Sequence, residues 1–255
     1  MPLSYIFYNL PHTKSKYNQY FLVLSPYINE MKKIATIKSD FPTKFGIPRQ
    51  SGIAKSLLAK IVFEPEFRNA EALRGLEETT HIWLIWEFSQ AKCSTFSPTV
   101  RPPRLGGNKR LGVFATRSPF RPNPIGLSCV EIVDIKLHTT EGPVIIVSGA
   151  DLMDGTPIFD IKPYIPYADS FPDAKCGFVD TTEMKKLDVD IPQSMLSKFP
   201  KDKATALREI LAEDPRPRYQ NDPDRRYGFE FAGFEIEFTV TENKLCVTNI
   251  SPKRD

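Results

Sequence analysis

Between Gly112 and Ser128 the chain reads GVFATRSPFRPNPIGLS, in which Pro119, Pro122 and Pro124 are interleaved with Arg117 and Arg121. Each proline fixes φ and removes a backbone donor. Each also pushes the residue before it (Ser118, Arg121 and Asn123) out of the helical region. Neither a helix nor a central strand tolerates that pattern, so a stiff, irregular ribbon is expected. Such a ribbon holds two guanidinium groups at fixed points, which suits an anion. From Lys92 to Val130 there is no Asp or Glu, while Lys92, Arg101, Arg104, Lys109, Arg110, Arg117 and Arg121 all fall there. The net charge is only +3; the clustering, rather than the total, is the footprint of a polyanionic partner.

Several classes of function are excluded early. Cys93, Cys129, Cys176 and Cys246 form no CxxC pair, and with His12, His81 and His138 they give no zinc spacing, so no metal is expected. Scattered free thiols fit a reducing compartment. No apolar stretch is long enough to span a membrane, and the N-terminus lacks a signal peptide's succession of regions. A cytoplasmic protein is expected, with the nucleus also compatible. No GxGxxG, P-loop, HExxH or G-x-S-x-G occurs, so a Rossmann-type cofactor site is unsupported.

The chain divides by composition into three parts. Residues 1–30 are aromatic and polar and read as an N-terminal extension. Residues 31–172 look mainly β. Lys33–Ile37, Ile82–Phe88, Leu127–Leu137 and Pro143–Ser148 are strand candidates, separated by turn chemistry at Glu141-Gly142-Pro143 and Asp154-Gly155-Thr156-Pro157. Short strands joined by Gly/Pro turns argue for an antiparallel sheet or barrel rather than a βαβ array. Glu66–Glu77 has helical spacing of Phe67, Ala70, Leu73 and Leu76, and predicts one short helix. Residues 173–255 read as a small α+β unit. It has a helix over Asp202–Glu213 that buries Ala206, Leu207, Ile210 and Leu211 and ends at Pro215. An alternating strand over Gly233–Val240 and a partner over Lys244–Thr248 follow.

Five polar loop clusters flank these strands: Pro48-Arg49-Gln50, Ser89-Gln90, Arg101–Arg110, Arg117–Leu127 and Asp154–Pro157. Loops on a β scaffold are where sites are usually built. Together with FGIPRQS (45–51), RPPRLGGNKRLGVFATRSPFRPNPIGLS (101–128), DLMDGTPIFDIKPYIPYADSFPDA (151–174) and DPRPRY (214–219), they resemble the TsaA-like/TrmO family of tRNA methyltransferases. The resemblance covers most of residues 31–255 and leaves out residues 1–30.

That resemblance implies a compact, antiparallel β-barrel-like domain that binds S-adenosylmethionine without a Rossmann sheet, followed by a small α+β domain, working as a homodimer. It implies methylation of N6 of N6-threonylcarbamoyladenosine at position 37, beside the tRNA anticodon. By resemblance Pro48, Arg49 and Gln50, Ser89 and Gln90, Arg117, the backbone of Leu127, and Asp154, Gly155, Thr156 and Pro157 form the cofactor site. The family more often carries His where this chain has Ser89. The ureido N6 must lose its proton to attack a methyl group well, so a base within hydrogen-bond reach is expected. Asp214 and Tyr219 of DPRPRY are the favoured candidates, with Asp160 a third. Arg101, Arg104, Lys109, Arg110 and Arg121 are expected on the phosphates of the anticodon stem-loop. Tyr164, Tyr167 and Tyr219 are candidates to stack on splayed bases. A non-catalytic RNA-binding module on the same fold, and a methyltransferase acting on another RNA or a small molecule, are the alternatives.

Overall fold

The computed structural model describes residues 31–91, 95–102, 105, 109–180, 186–216, 222 and 224–253. Expectations for residues 1–30, Lys92, Cys93, Arg104 and Tyr219 lie outside them. Contacts divide the chain into Met1–Lys32 and Lys33–Asp255, and all the strands and helices named below belong to the second unit.

Six strands close into a barrel: β1 (Ala35–Lys38), β2 (Leu58–Phe63), β3 (His81–Glu87), β6 (Ile125–Lys136), β7 (Val144–Ser148) and β8 (Pro157–Pro163), in the order β1-β2-β7-β6-β3-β8. Every neighbouring pair is antiparallel, and Ala35 opposite Ile158 closes the ring. This is the barrel expected from the short strands and Gly/Pro turns. Its interior is filled by side chains, as small barrels are. Ile82, Leu84 and Trp86 of β3 point inward and meet Ile37, Ile61, Val130, Ile145, Val147 and Ile158.

Among the strands not apparent from the sequence are β2, β8 and β10 (Tyr227–Phe231). β8 starts on Pro157, a position where proline costs no ladder donor. The helix expected over Glu66–Glu77 is instead three separate 3-10 turns, at Pro65–Phe67, Ala70–Leu73 and Leu76–Glu78. The extended backbone of Asn69, whose side chain caps the second turn, and the left-handed Gly75 (φ 88°) each break the helix before it can propagate. Phe67, Leu73 and Leu76 still pack against the barrel core, as their spacing suggested. The proline-rich ribbon also needs correction at its end. Irregular backbone stops at Pro124, and Ile125–Ser128 already belong to β6, a central barrel strand.

A two-stranded ribbon, β4 (Thr99–Val100) with β5 (Leu111–Gly112), stands apart from the barrel sheet. Beyond α1 (Pro166–Asp169) the chain builds a second sheet in the order β10-β11-β12-β9. It contains β9 (Asp188–Asp190), β11 (Phe234–Thr241) and β12 (Lys244–Pro252), with β9 parallel to β12. Between β9 and β10 lie α2 (Gln193–Leu196) and α3 (Ala204–Ala212). Ala206, Leu207, Ile210 and Leu211 of α3 are buried as expected.

The core beneath this second sheet also takes in Phe41, Ala54 and Leu57, which belong to the long β1–β2 connection. That connection is further tied down by Ser56, whose backbone N and hydroxyl both donate to Glu209 at 2.8 and 3.0 Å. Lys203 pairs with Asp40 at 2.5 Å. At Gly46 (φ 90°) a Cβ would sit 2.4 Å from the Phe229 ring, so only glycine lets the connection lie against β10. The C-terminal sheet thus fixes the loop that carries Pro48, Arg49 and Gln50.

Candidate functional site

The strand registers place the sequence-singled loops together. Because all barrel neighbours are antiparallel, the ends of β1, β3 and β7 and the starts of β2, β6 and β8 share one rim. Onto that rim open the loop with Pro48-Arg49-Gln50, the turn with Ser89-Gln90, the Arg117–Pro124 ribbon and the turn Asp154–Thr156. Ser89, Gln90 and Leu127 are exposed there. Phe67, Leu73 and Leu76 pack at the other end, where β2 leaves and β3 enters the barrel.

Arg49 and Arg117 divide the work at this rim. Arg49 Nη2 donates to the carbonyls of Asp214 and Arg216, both at 3.1 Å, and so clamps the C-terminal chain onto the barrel loop. Arg117 is exposed and donates from Nη1 to Gln50 Oε1. The Gln50 amide in turn donates to the Arg49 carbonyl at 2.5 Å. The chain Arg117–Gln50–Arg49 therefore links the proline ribbon to the β1–β2 loop.

Below them lies a constellation that the sequence did not single out. The Trp86 indole N–H donates to Ser128 Oγ at 2.9 Å, and the Ser128 hydroxyl donates to Asp151 Oδ1 at 2.6 Å. Indole is a donor only, so the direction of this relay is fixed. Burial raises the Asp151 carboxyl from its ordinary value, against the lowering effects of the Ser128 hydroxyl, the Arg117 charge and the Ser51 backbone. A buried serine inside a strand, and an aspartate next to an otherwise apolar strand end, were the available signals. Gly126 makes the geometry possible: a Cβ there would lie 2.2 Å from the Trp86 ring. Gly126→Ala is expected to destabilise the fold by about 2–3 kcal/mol through overpacking. That corresponds to a melting temperature lower by about 5–10 °C in a thermal scan.

The other expected residues take varied places. Asp154 Oδ1 accepts the Ser39 N–H at 3.0 Å, and Oδ2 lies 4.0 Å from Lys38 Nζ. Thr156 is buried and its hydroxyl donates to the Met153 carbonyl at 2.7 Å. The Asp154–Pro157 segment therefore locks β1 to β8. Asp214 has φ 52°, and its carboxylate accepts from Arg216 Nε and Nη2 at 2.8 and 3.0 Å. That bond holds Arg216, itself buried, more firmly protonated than usual. Asp160 pairs with Lys162 at 2.7 Å.

Arg101, Lys109 and Arg110 are exposed. Arg121 is half-buried and bonds within its own loop. Its guanidinium turns back to the carbonyls of Thr116 and Ser118, at 3.2 and 3.4 Å. A proline-rich loop is short of N–H donors, and Arg121 supplies them. Tyr164 and Tyr167 lie away from this rim. They follow β8 at the barrel's opposite end, about 20 Å from the rim by strand rise, where Tyr164 packs on Trp83 and His81. Among the described residues no group of three or more His, Cys, Asp or Glu stands ready to hold a metal. Nor is any helix among them long and apolar enough to cross a membrane.

Residues 36–170 match the tRNA-methyltransferase O N-terminal domain, and residues 184–253 match the TrmO C-terminal domain. The chain is 37% identical over 233 residues to the tRNA (adenine(37)-N6)-methyltransferase of Escherichia coli, covering 88% of this chain and 98% of that protein. It is 40% identical over 217 residues to a putative S-adenosylmethionine-dependent methyltransferase, RcsF, of Pseudomonas aeruginosa, covering 82% and 92%. It is similar to a crystal structure of TrmO from P. aeruginosa, with a TM-score of 0.71 and 33% identity over 88% of this chain and 97% of that one.

Proposed function

The chain belongs to the TrmO family of tRNA methyltransferases, and from that premise we propose that it methylates N6 of N6-threonylcarbamoyladenosine at position 37 of tRNA with S-adenosylmethionine as donor. The observation that carries the reading is the gathering of Gln50, Ser89, Gln90, Arg117 and Asp151 on one barrel rim. The donor set fits S-adenosylmethionine: a cationic fork, a hydroxyl and two amides answer its carboxylate, ribose and adenine groups. When bound, that cofactor supplies a methyl group already activated by a positive sulfur.

The protein's task is then alignment and removal of one proton. In this reading Arg117, Gln50, Ser89, Gln90 and the Leu127 backbone hold the cofactor, while Pro48 and the Asp154–Pro157 turn shape its walls. Arg49 holds the Asp214–Arg216 segment, with Tyr219 close behind it in sequence, against the rim. Asp214 is committed to Arg216 and is assigned to this clamp rather than to proton transfer. Asp151 is the rim carboxylate whose proton affinity burial raises, and it is assigned to take the N6 proton. Exposed apolar residues along β6, among them Leu127 and Val133, support a homodimer. The thiols of Cys129, Cys176 and Cys246 fit a reducing cytoplasm.

The test is mass spectrometry of tRNA nucleosides from cells with and without the protein. The proposal expects the methylated threonylcarbamoyladenosine to vanish in its absence; an unchanged level would contradict it. Asp151→Asn gives a second check. A raised folded-state pKa makes ionised Asp151 a cost to the fold. The stability it contributes is full below the unfolded carboxyl pKa of about 4 and lost as pH rises through the folded value. At neutral pH the amide is therefore expected to keep or raise the melting temperature. It is expected to lower kcat about 100-fold at unchanged cofactor affinity, and to remove the acidic limb of the pH–rate profile.

A further inference from the structure

The ribbon of β4 and β5 carries two phenylalanines in an unusual state. Phe96 is 58% exposed and Phe114 73% exposed, yet their rings stack on each other, with centroids 6.3 Å apart and planes 25° apart. The ribbon between them is well tied. Thr99 pairs with Gly112, Val100 with Leu111, and Val113 N–H donates to the Pro98 carbonyl at 3.0 Å. Arg110 is anchored through Nε to Thr99 Oγ1 at 2.8 Å, a contact that takes one of its five donors. Arg101 and Lys109 are exposed on the same ribbon. A stacked pair of wet aromatic rings between cations marks an interaction site rather than scattered surface apolarity.

We propose that Phe96 and Phe114 form a stacking platform for a single-stranded RNA base next to the target adenosine. This rests on the methyltransferase reading and adds to it a residue-level RNA contact. Charge is the first reason for this occupant: the acid-free run from Lys92 to Val130 complements a phosphate chain. Against a second copy of this chain, a twofold contact through the ribbon would set Arg101, Lys109 and Arg110 against themselves. Ring chemistry is the second. Any base has a π-face, so a rigid aromatic pair binds single strands without needing a particular sequence. Position is the third. Phe114 lies three residues before Arg117, which limits their separation to about 10 Å. A base splayed from the loop into the rim leaves its neighbour unstacked at that range.

The test uses the full chain and an anticodon stem-loop RNA that bears N6-threonylcarbamoyladenosine at position 37 and 2-aminopurine at position 36 or 38. Wild type is expected to alter the probe's fluorescence on binding. Phe96→Ala and Phe114→Ala are each expected to weaken RNA binding about tenfold and to abolish the fluorescence change. Phe114→Trp should restore it. Cofactor affinity and the melting temperature should stay at wild-type values, since both rings are exposed. A double alanine variant that binds and reports like wild type overturns the platform while leaving the methyltransferase reading intact. So does a double variant whose only change is a dimer turned monomer in sedimentation. A wild-type chain that binds no RNA at all overturns both.

Discussion

Arg117→Ala is expected to lower methyl transfer to tRNA by about 10- to 100-fold while leaving the fold intact. A hydrogen bond to a charged group contributes about 1.5–3 kcal/mol, and Arg117 is the exposed cation that the proline ribbon delivers to the rim. Its side chain bonds to Gln50, itself a rim residue, so its loss removes little from the core. Surface changes of this kind stay within about 0.5 kcal/mol of wild type. Arg117→Lys separates charge from geometry. An ammonium restores the positive field but not a planar fork, so only part of the activity should return. Calorimetry with S-adenosylmethionine locates the defect. Weaker cofactor binding is expected in Arg117→Ala, and full affinity with full activity would remove Arg117 from the site.

Asp214→Asn is expected to have its largest effect on stability. Arg216 is only 8% exposed and its side chain is paired with Asp214 through two guanidinium nitrogens. Asparagine keeps the tolerance for positive φ that position 214 needs, with φ at 52°. The substitution therefore isolates the charge. Leaving a buried guanidinium without its carboxylate costs about 2–3 kcal/mol at a site close to solvent. Denaturant unfolding should show that loss. Adding Arg216→Met to Asp214→Asn should recover much of it, because the stranded charge is then gone. If Asp214 were instead the catalytic base, the double variant Asp214→Asn/Arg216→Met would recover its stability and still lose kcat.

Much of the barrel was legible because its strands carry strong local signals. The apolar run of β3 and the Gly/Pro turns before β7 and β8 leave few alternatives to short antiparallel strands. β2 and β8 were not legible: LAKIVF and PIFDIKP mix charge and apolarity without clean alternation, and tertiary pairing decides them. Helical spacing at Phe67, Leu73 and Leu76 reported burial correctly but conformation wrongly, because Gly75 and the cap at Asn69 outweigh it. At the rim, Arg49, Gln50 and Arg117 were visible as charged and polar loop residues. Trp86, Ser128 and Asp151 were hidden because their relay spans three strand ends that only the closed barrel brings together. The carbonyl contacts of Arg121 were not legible either, because they answer the N–H donors that the prolines of its own loop remove.

The proposed reaction is methyl transfer to one atom of one nucleoside. The direct measurement incubates the purified chain with methyl-labelled S-adenosylmethionine and tRNA bearing N6-threonylcarbamoyladenosine at position 37, then digests the tRNA to nucleosides for mass spectrometry. Label is expected on the N6 of that nucleoside, and none on tRNA that carries plain adenosine at the same position. No label, or label on any other nucleoside, would contradict the proposed reaction.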